Sequence, residues 1–382
     1  MGKKLFCLGI LALFWGCGGR LGSFGSGGAM DWQMFRGDAA LSGYTETRLP
    51  KNPTLLWTYK SESRTVSSPV VHDGVTYWSN SRGRVMGVTL NGELAFDYDM
   101  QTAVSSTPMI CDSTLYIGRV DGLMIAISLS EKNVRWEYET MGQVSASPNN
   151  GLFEGRQAIV FGSYDNFLYV VDAKDATIIH SFESGYYLNG AVALQGKYAV
   201  FGGCDSWLRT IDCETGIQTD SLMLDAYIPA SPALVGDYCY IGDYSGNMYE
   251  LILEKGKISS HKKIAEASND NDSYVSVPAV TGSTLYFLSD SRYLISFDRK
   301  KGTVNWKYML KGNTGESSPV VCKDKALVCT KTGIISIIDT VKGEVEWEYD
   351  AGEPIVASPA VIKDHFMILT EKGTLLCFGE KK

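Results

Sequence analysis

Five side chains with chemical potential stand just ahead of short apolar runs in this sequence: Arg64, Tyr187, Tyr227, Tyr274 and Glu316. If those runs line a common axis, the five converge on one mouth, where a cation among tyrosines can hold a carbohydrate or a carboxylate. Tyrosine is also abundant here, with 21 copies, and serves well in loop packing, which is the competing reading of the same set. Other chemistries find no foothold. The four histidines (72, 180, 261 and 365) are scattered, and no pair has the spacing of a zinc-binding helix. Of nine cysteines, seven (Cys111, Cys204, Cys213, Cys239, Cys322, Cys329, Cys377) fall mostly in apolar runs with no CxxC pair, as buried small hydrophobes would. A disulfide between Cys204 and Cys213, or between Cys322 and Cys329, does not follow from spacing. There is no GxSxG elbow and no phosphate-cradling loop, and paired acids such as Glu344 and Glu346 alternate as on a solvated strand. The expectation is no catalytic residue, no metal and no cofactor.

Composition narrows the class further. The 382 residues are 45% hydrophobic and 20% charged with a net charge of −8, which argues against a generic nucleic-acid binder. The first thirty residues read as an address. Lys3 and Lys4 precede an apolar stretch from Leu5 to Trp15, too short to span a bilayer and suited to a signal-peptide core. It ends at Gly16-Cys17, which resembles the lipobox of bacterial lipoproteins, in which the cysteine is acylated and becomes the new N-terminus. Phe14 and Trp15 depart from the leucine and small residue that the box prefers. Residues 1–16 are thus expected to be a signal peptide and Cys17 the lipidation site. Residues 17–30 are expected to be a Gly/Ser-rich tether, and 31–382 the folded domain. No Asp follows Cys17, so the inner-membrane retention signal of enterobacterial lipoproteins is absent.

What must position any site is a repeat of about forty residues. A Ser/Thr-Pro step recurs at Ser68-Pro69, Thr107-Pro108, Ser147-Pro148, Ser231-Pro232, Ser318-Pro319 and Ser358-Pro359, with Val277-Pro278 and Ala191-Val192 as degenerate copies. These make eight units. In the seventh, apolar runs are broken by turns at Lys323-Asp324, Thr332-Gly333 and Lys342-Gly343, which is a four-stranded antiparallel meander. Near-continuous apolar inner strands and an alternating outer strand (Glu346, Trp347, Glu348, Tyr349) predict blades buried on both faces with a wet outer edge. The element Asp-x-x-x-Gly-x-x-x-Trp recurs as Asp298/Gly302/Trp306 and Asp339/Gly343/Trp347, with Trp136 in the same register. These tryptophans, with Trp57, are expected to dock neighbouring blades. Units three to five carry Phe182, Asp220 and His261 near that place instead. The last unit has room for three strands only, and residues 55–60 resemble its missing fourth, which would close the ring and remove the sheet edge. The fold expected is all-β, an eight-bladed β-propeller of four-stranded antiparallel blades closed by an N-terminal strand.

The Asp/Gly/Trp element, the Ser-Pro inner strand and the opening Asp31-Trp32-Gln33-Met34-Phe35-Arg36-Gly37 resemble the PQQ-like propeller family over about residues 31–382. That family includes the BamB lipoproteins of outer-membrane β-barrel assembly and, more distantly, quinoprotein alcohol dehydrogenases. The resemblance implies a non-enzymatic lipoprotein scaffold, monomeric, lipid-anchored to the outer membrane facing the periplasm, with a protein partner such as a barrel-assembly component. The alternative is a propeller binding a small ligand or glycan at its axial mouth. A quinone-dependent dehydrogenase fits worse, since the adjacent cysteine pair of many alcohol-oxidising members is missing and no Asp base with a calcium-ligand set stands out. The acidic stretch 266–272 reads as a solvated turn because its spacing does not fit an EF-hand loop.

Overall fold

The computed structural model describes residues 30–266 and 273–381. The signal segment, Cys17, nearly all of the expected tether and all but the first residue of the acidic stretch lie outside the described residues. Eight sheets of four antiparallel strands account for the domain, and no described residue is helical. Blade 1 runs from Val70 to Asp99, and blades 2 to 7 follow in chain order to Val345–Asp350. Blade 8 takes three strands from the C-terminus, and its fourth is Thr54–Lys60, antiparallel to Thr374–Gly379. Each blade's second and third strands are buried along nearly their whole length, as in Lys325–Cys329 and Ile334–Asp339, whereas outer strands alternate. Such a sheet cannot cover its own faces, so it is stable only when flanked by two neighbours.

One feature of the outer strands has no sequence signature. Every one of them carries a register shift beside the tryptophan position, for example between Ile337 and Ile338 opposite Trp347 and Val345. The extra residue increases local twist and turns the following side chain onto the next blade. There the Trp57 indole N–H donates to the Leu90 carbonyl at 2.7 Å, Trp136 to Ala173 at 2.9 Å and Trp306 to Thr340 at 3.0 Å. In each case the acceptor lies in the turn between the third and outer strands of the following blade. The turn beneath the ring holds a left-handed residue, which is glycine under Trp57 and Trp306 and Ala176, at φ +61°, in the turn that receives Trp136. Gly343 has φ +71°, and a Cβ there would come within 2.6 Å of the Trp306 ring. Trp347 meets Phe366 and Phe378 edge-on at 6.0 and 5.5 Å instead, because the corresponding turn of blade 8 is replaced by the chain ends.

Blades 3 to 5 fill the same place differently, and two sequence assignments are corrected. In blade 3 it is His180, not Phe182, that stands opposite the third strand at the register shift. Phe182 pairs with Leu168 further along, the place of an outer-strand tyrosine elsewhere. His180 shares a 2.8 Å hydrogen bond with the Glu214 carbonyl and lies over Gly216, as Trp57 lies over Gly92 and Trp306 over Gly343. In blade 5 it is Lys262, not His261, because the third strand Asn247–Glu254 is longer and its register shifts twice. Asp220 holds the place in blade 4, where its carboxylate accepts the Ile258 N–H at 2.9 Å.

The Ser-Pro step acquires a physical reason. The backbone N–H at this register in one blade donates to the hydroxyl at the same register in the next. The bonds run from Val277 to Ser318 (3.0 Å), Ser318 to Ser358 (3.1 Å), Ser358 to Ser68 (2.9 Å) and Ser68 to Thr107 (2.8 Å). The proline that follows has no N–H to leave unpaired where the inner strand edges the axis. Ala191 in blade 4 and Val277 in blade 6 have no hydroxyl, so blades 3 and 5 cannot hand an N–H on in this way.

Candidate functional site: a plugged axis and a tyrosine-bearing loop face

An antiparallel meander puts its first and third turns at one end of the propeller, here the turn face. The second turn and the blade-to-blade connections lie at the other, the loop face. On the turn face the opening segment runs around the axis and bonds the inner strands in chain order. Trp32 exchanges two 2.8 Å bonds with Val71 of blade 1, and the Gln33 carbonyl accepts the Ile110 N–H of blade 2 at 2.8 Å. The Ala39 carbonyl accepts from the Asn149 amide of blade 3 and the Leu194 N–H of blade 4. Ala40 accepts from Leu234, Ser42 from Val280 and Gly43 from Val321, which completes blades 5 to 7. Tyr44–Thr45 then pairs parallel to the inner strand Val320–Cys322. At seven of the eight blades the channel-facing edge of the inner strand is thereby bonded, at blade 3 through the Asn149 side chain.

Arg36 anchors this plug. It is 1% exposed, and its guanidinium donates to the carbonyls of Pro319 (2.6 Å) and Pro278 (3.0 Å), two of the ring of proline-position carbonyls around the axis. Burial lowers its pKa to about 9, against the pull of nearby Asp38, so it remains a cation at neutral pH. The Phe35-Arg36-Gly37 signature is therefore packing. Gly37, at φ +88°, lies against the Trp32 indole, and a side chain on Gly43 would land on the guanidinium itself.

The loop face repeats a different bond eight times. The second-turn N–H of each blade donates to the connection that enters it: Ser81 to Arg64, Val120 to Ala103, Tyr164 to Gln143, Cys204 to Tyr187, Tyr244 to Tyr227, Asp290 to Ser273, Lys331 to Asn313 and Glu371 to Pro354. This fixes where the expected mouth residues fall. Arg64, Tyr187 and Tyr227 occupy one register. Arg64 pairs with Glu371 on the neighbouring blade and borders a shallow hollow of about 250 Å³ with Val66, Ser105 and Val120. Tyr187 stacks on Tyr164 with centroids 5.3 Å apart and planes 12° apart, and Tyr186 flanks it at 4.7 Å. Tyr274 is one position later, 2% exposed and packed edge-on against Phe287, so it does not face the mouth. Glu316 is exposed in yet another register, and the five do not form one cluster.

What sequence reading missed is the grouping. At these repeated positions tyrosine is confined to blades 3 to 5, half-buried as Tyr164 and exposed as Tyr187 (44%), Tyr227 (61%) and Tyr244 (56%), beside Met141 at 92%. The charges among them are paired, Arg209 with Asp205 and Lys263 with Asp225. Cys204, half-buried in this stretch, is no activated nucleophile, since burial and then Asp205 raise its pKa. No disulfide joins any of the seven cysteines of the described residues, and no cluster of three His, Cys, Asp or Glu able to hold a metal occurs among those residues. No described helix is long and apolar enough to cross a membrane.

A closed ring of eight four-stranded blades, with residues 31–45 filling the turn-face end of its axis, defines the class of fold as a β-propeller. The family model described as outer membrane protein assembly factor BamB matches residues 89–308 and 296–381, and the chain belongs to this family of PQQ-like propellers. BamB of Legionella pneumophila (strain Paris) is 26% identical over 136 residues, which are 36% of this chain and 33% of that protein. The chain thus aligns with about a third of the length of that curated relative. The crystal structure of BamB from Moraxella catarrhalis superposes with a TM-score of 0.72 at 17% identity, covering 86% of this chain and 98% of that one. Quinohemoprotein alcohol dehydrogenase from Comamonas testosteroni gives 0.73 at 13% identity, covering 92% of this chain and 81% of that one. At such identities the structural likeness shows the fold alone.

Proposed function

We propose that this chain is a non-enzymatic, exported lipoprotein, acylated at Cys17 and held at the outer membrane facing the periplasm. There it acts as a scaffold that docks a protein partner, in a role like that of BamB in β-barrel protein assembly. The observation that carries the reading is the exposed run of Tyr187, Tyr227 and Tyr244 with Met141 on one face of blades 3 to 5. Tyrosine and methionine are enriched at protein interfaces, where they contribute large contact areas at small entropic cost. The neutralised charges around them lower the cost of drying that surface. Against catalysis stands the plug, because Arg36 and residues 31–45 occupy the turn-face end of the axis.

The test is affinity capture of the lipidated protein with its native membrane neighbours, beside a Tyr187→Ser/Tyr227→Ser double variant. Recovery of a barrel-assembly protein by the wild type, reduced at least tenfold in a variant of unchanged melting temperature, is the expected result. Equal recovery by both proteins, or glycan-uptake components in place of an assembly protein, overturns it.

A further inference from the structure

The two faces differ in one respect beyond their side chains: the chain enters the propeller at the turn face. Met30 and Asp31 lie against His72, Asp73, Gly74 and Ser113, in the first turns of blades 1 and 2. The plug then holds residues 31–45 on that side through bonds to seven blades. Thirteen residue steps separate Met30 from Cys17. Fully extended they reach about 45 Å, and as a flexible Gly/Ser chain they span about 20 Å. A domain of this length is on the order of 50 Å across. To lay the loop face on a bilayer, the tether would have to run out to the rim and then along the full height of the ring. Its length does not allow that.

The surfaces agree with this constraint. Turn-face hairpins present mixed charges such as Asp73, Lys174, Asp175, Lys300 and Lys342, which suit a hydrated headgroup region. Tyr187, Tyr227, Tyr244 and Met141, each more exposed than the turn-face Tyr238, lie at the opposite end.

We infer that the propeller is held turn face toward the membrane, so that the loop face of blades 3 to 5 is presented away from the bilayer to the water-soluble domain of a protein partner, not to lipid. This rests on the lipid-anchored reading above, and the experiment separates the two. A fluorophore is placed on full-length lipidated protein at Lys342→Cys, on the turn face, or at Arg82→Cys, on the loop face, each in a Cys204→Ser background. The protein is reconstituted into phosphatidylcholine vesicles carrying a headgroup-attached quencher. Quenching at position 342 at least about threefold stronger than at 82 is expected. Equal or reversed quenching on floating vesicles overturns the orientation and leaves the anchor standing. Wild-type protein that does not float with vesicles overturns the anchored reading and the orientation with it.

Discussion

Blades 6, 7, 8, 1 and 2 form one arc of this ring and blades 3, 4 and 5 another, and the two are held together by different physics. In the first arc inner strands are stitched by Ser/Thr hydroxyls, and the outer strands are locked by aromatic rings, three of them indoles whose N–H bonds the next blade's turn. In the second the hydroxyl chain stops, and the locks are polar. His180 bonds Glu214, and Thr210 and Thr219 both donate to the Gly256 carbonyl at 2.6 Å. Between blades 5 and 6, Glu250 accepts from Tyr240 at 2.6 Å and from Lys262 at 2.7 Å, while Arg299 donates to the Tyr240 hydroxyl at 2.6 Å. The second arc is also the one with exposed tyrosines. Relaxation of the structural repeat and the distinctive surface coincide on the same three blades.

The sharpest break between the arcs is a pair of truncations at one register. Trp136→Ala removes a buried indole and its bond to Ala173, and should cost about 3–5 kcal/mol. His180→Ala removes a smaller, half-buried ring from the equivalent lock and should cost about 1–2 kcal/mol. Guanidinium unfolding midpoints compared at constant slope measure both. Equal losses would mean that the two arcs are locked with equal strength and that the comparison is superficial.

How much of this was legible depends on which level carried the information. Blade count, strand order and closure by residues 55–60 follow from period and alternation, because burial on two faces leaves a pattern in the residues themselves. Trp57, Trp136 and Trp306 stand out because a large ring recurs there at the blade period. His180 was not, because an aromatic was sought and Phe182 lay two residues away, whereas eight residues on from Asp172 is His180 itself. Arg36 was visible only as part of a motif. Its bonds go to carbonyls 242 and 283 residues distant, and no local pattern reports these. The tyrosine surface escaped for a related reason. Arg64, Tyr187 and Tyr227 share one backbone register, but which residues are exposed, and that they belong to adjacent blades, is a property of the closed ring.

A smaller effect tests the inner stitching. Ser358→Ala leaves the buried Ser318 N–H without its acceptor, and a loss of about 1–2 kcal/mol is expected. Ser147→Ala, at the same register in blade 3 and outside that chain of bonds, should fall within about 0.5 kcal/mol of wild type. Hydrogen exchange at the Ser318 amide, accelerated in the first variant and unchanged in the second, would localise the difference to the ring.

The smallest effect is electrostatic and belongs to the first arc. Asp339 ends the third strand of blade 7. The Lys325 ammonium at 2.7 Å, and then the Lys342 and Val341 N–H groups, hold its pKa down at about 2 from an ordinary value of 3.8. A carboxyl whose folded pKa is depressed contributes stability that is complete above its unfolded pKa and is lost as pH falls through the folded one. Asp339→Asn should therefore be less stable than wild type at pH 7, by about 1 kcal/mol for a half-buried bridge at the domain surface. That deficit should shrink between pH 4 and pH 2 and vanish below it. Urea midpoints for the two proteins at pH 7, 4 and 2 measure the convergence. A deficit that persists at pH 2 would assign the role of Asp339 to the shape of its turn, and the blade-7 turn would then be fixed by its hydrogen bonds without help from charge.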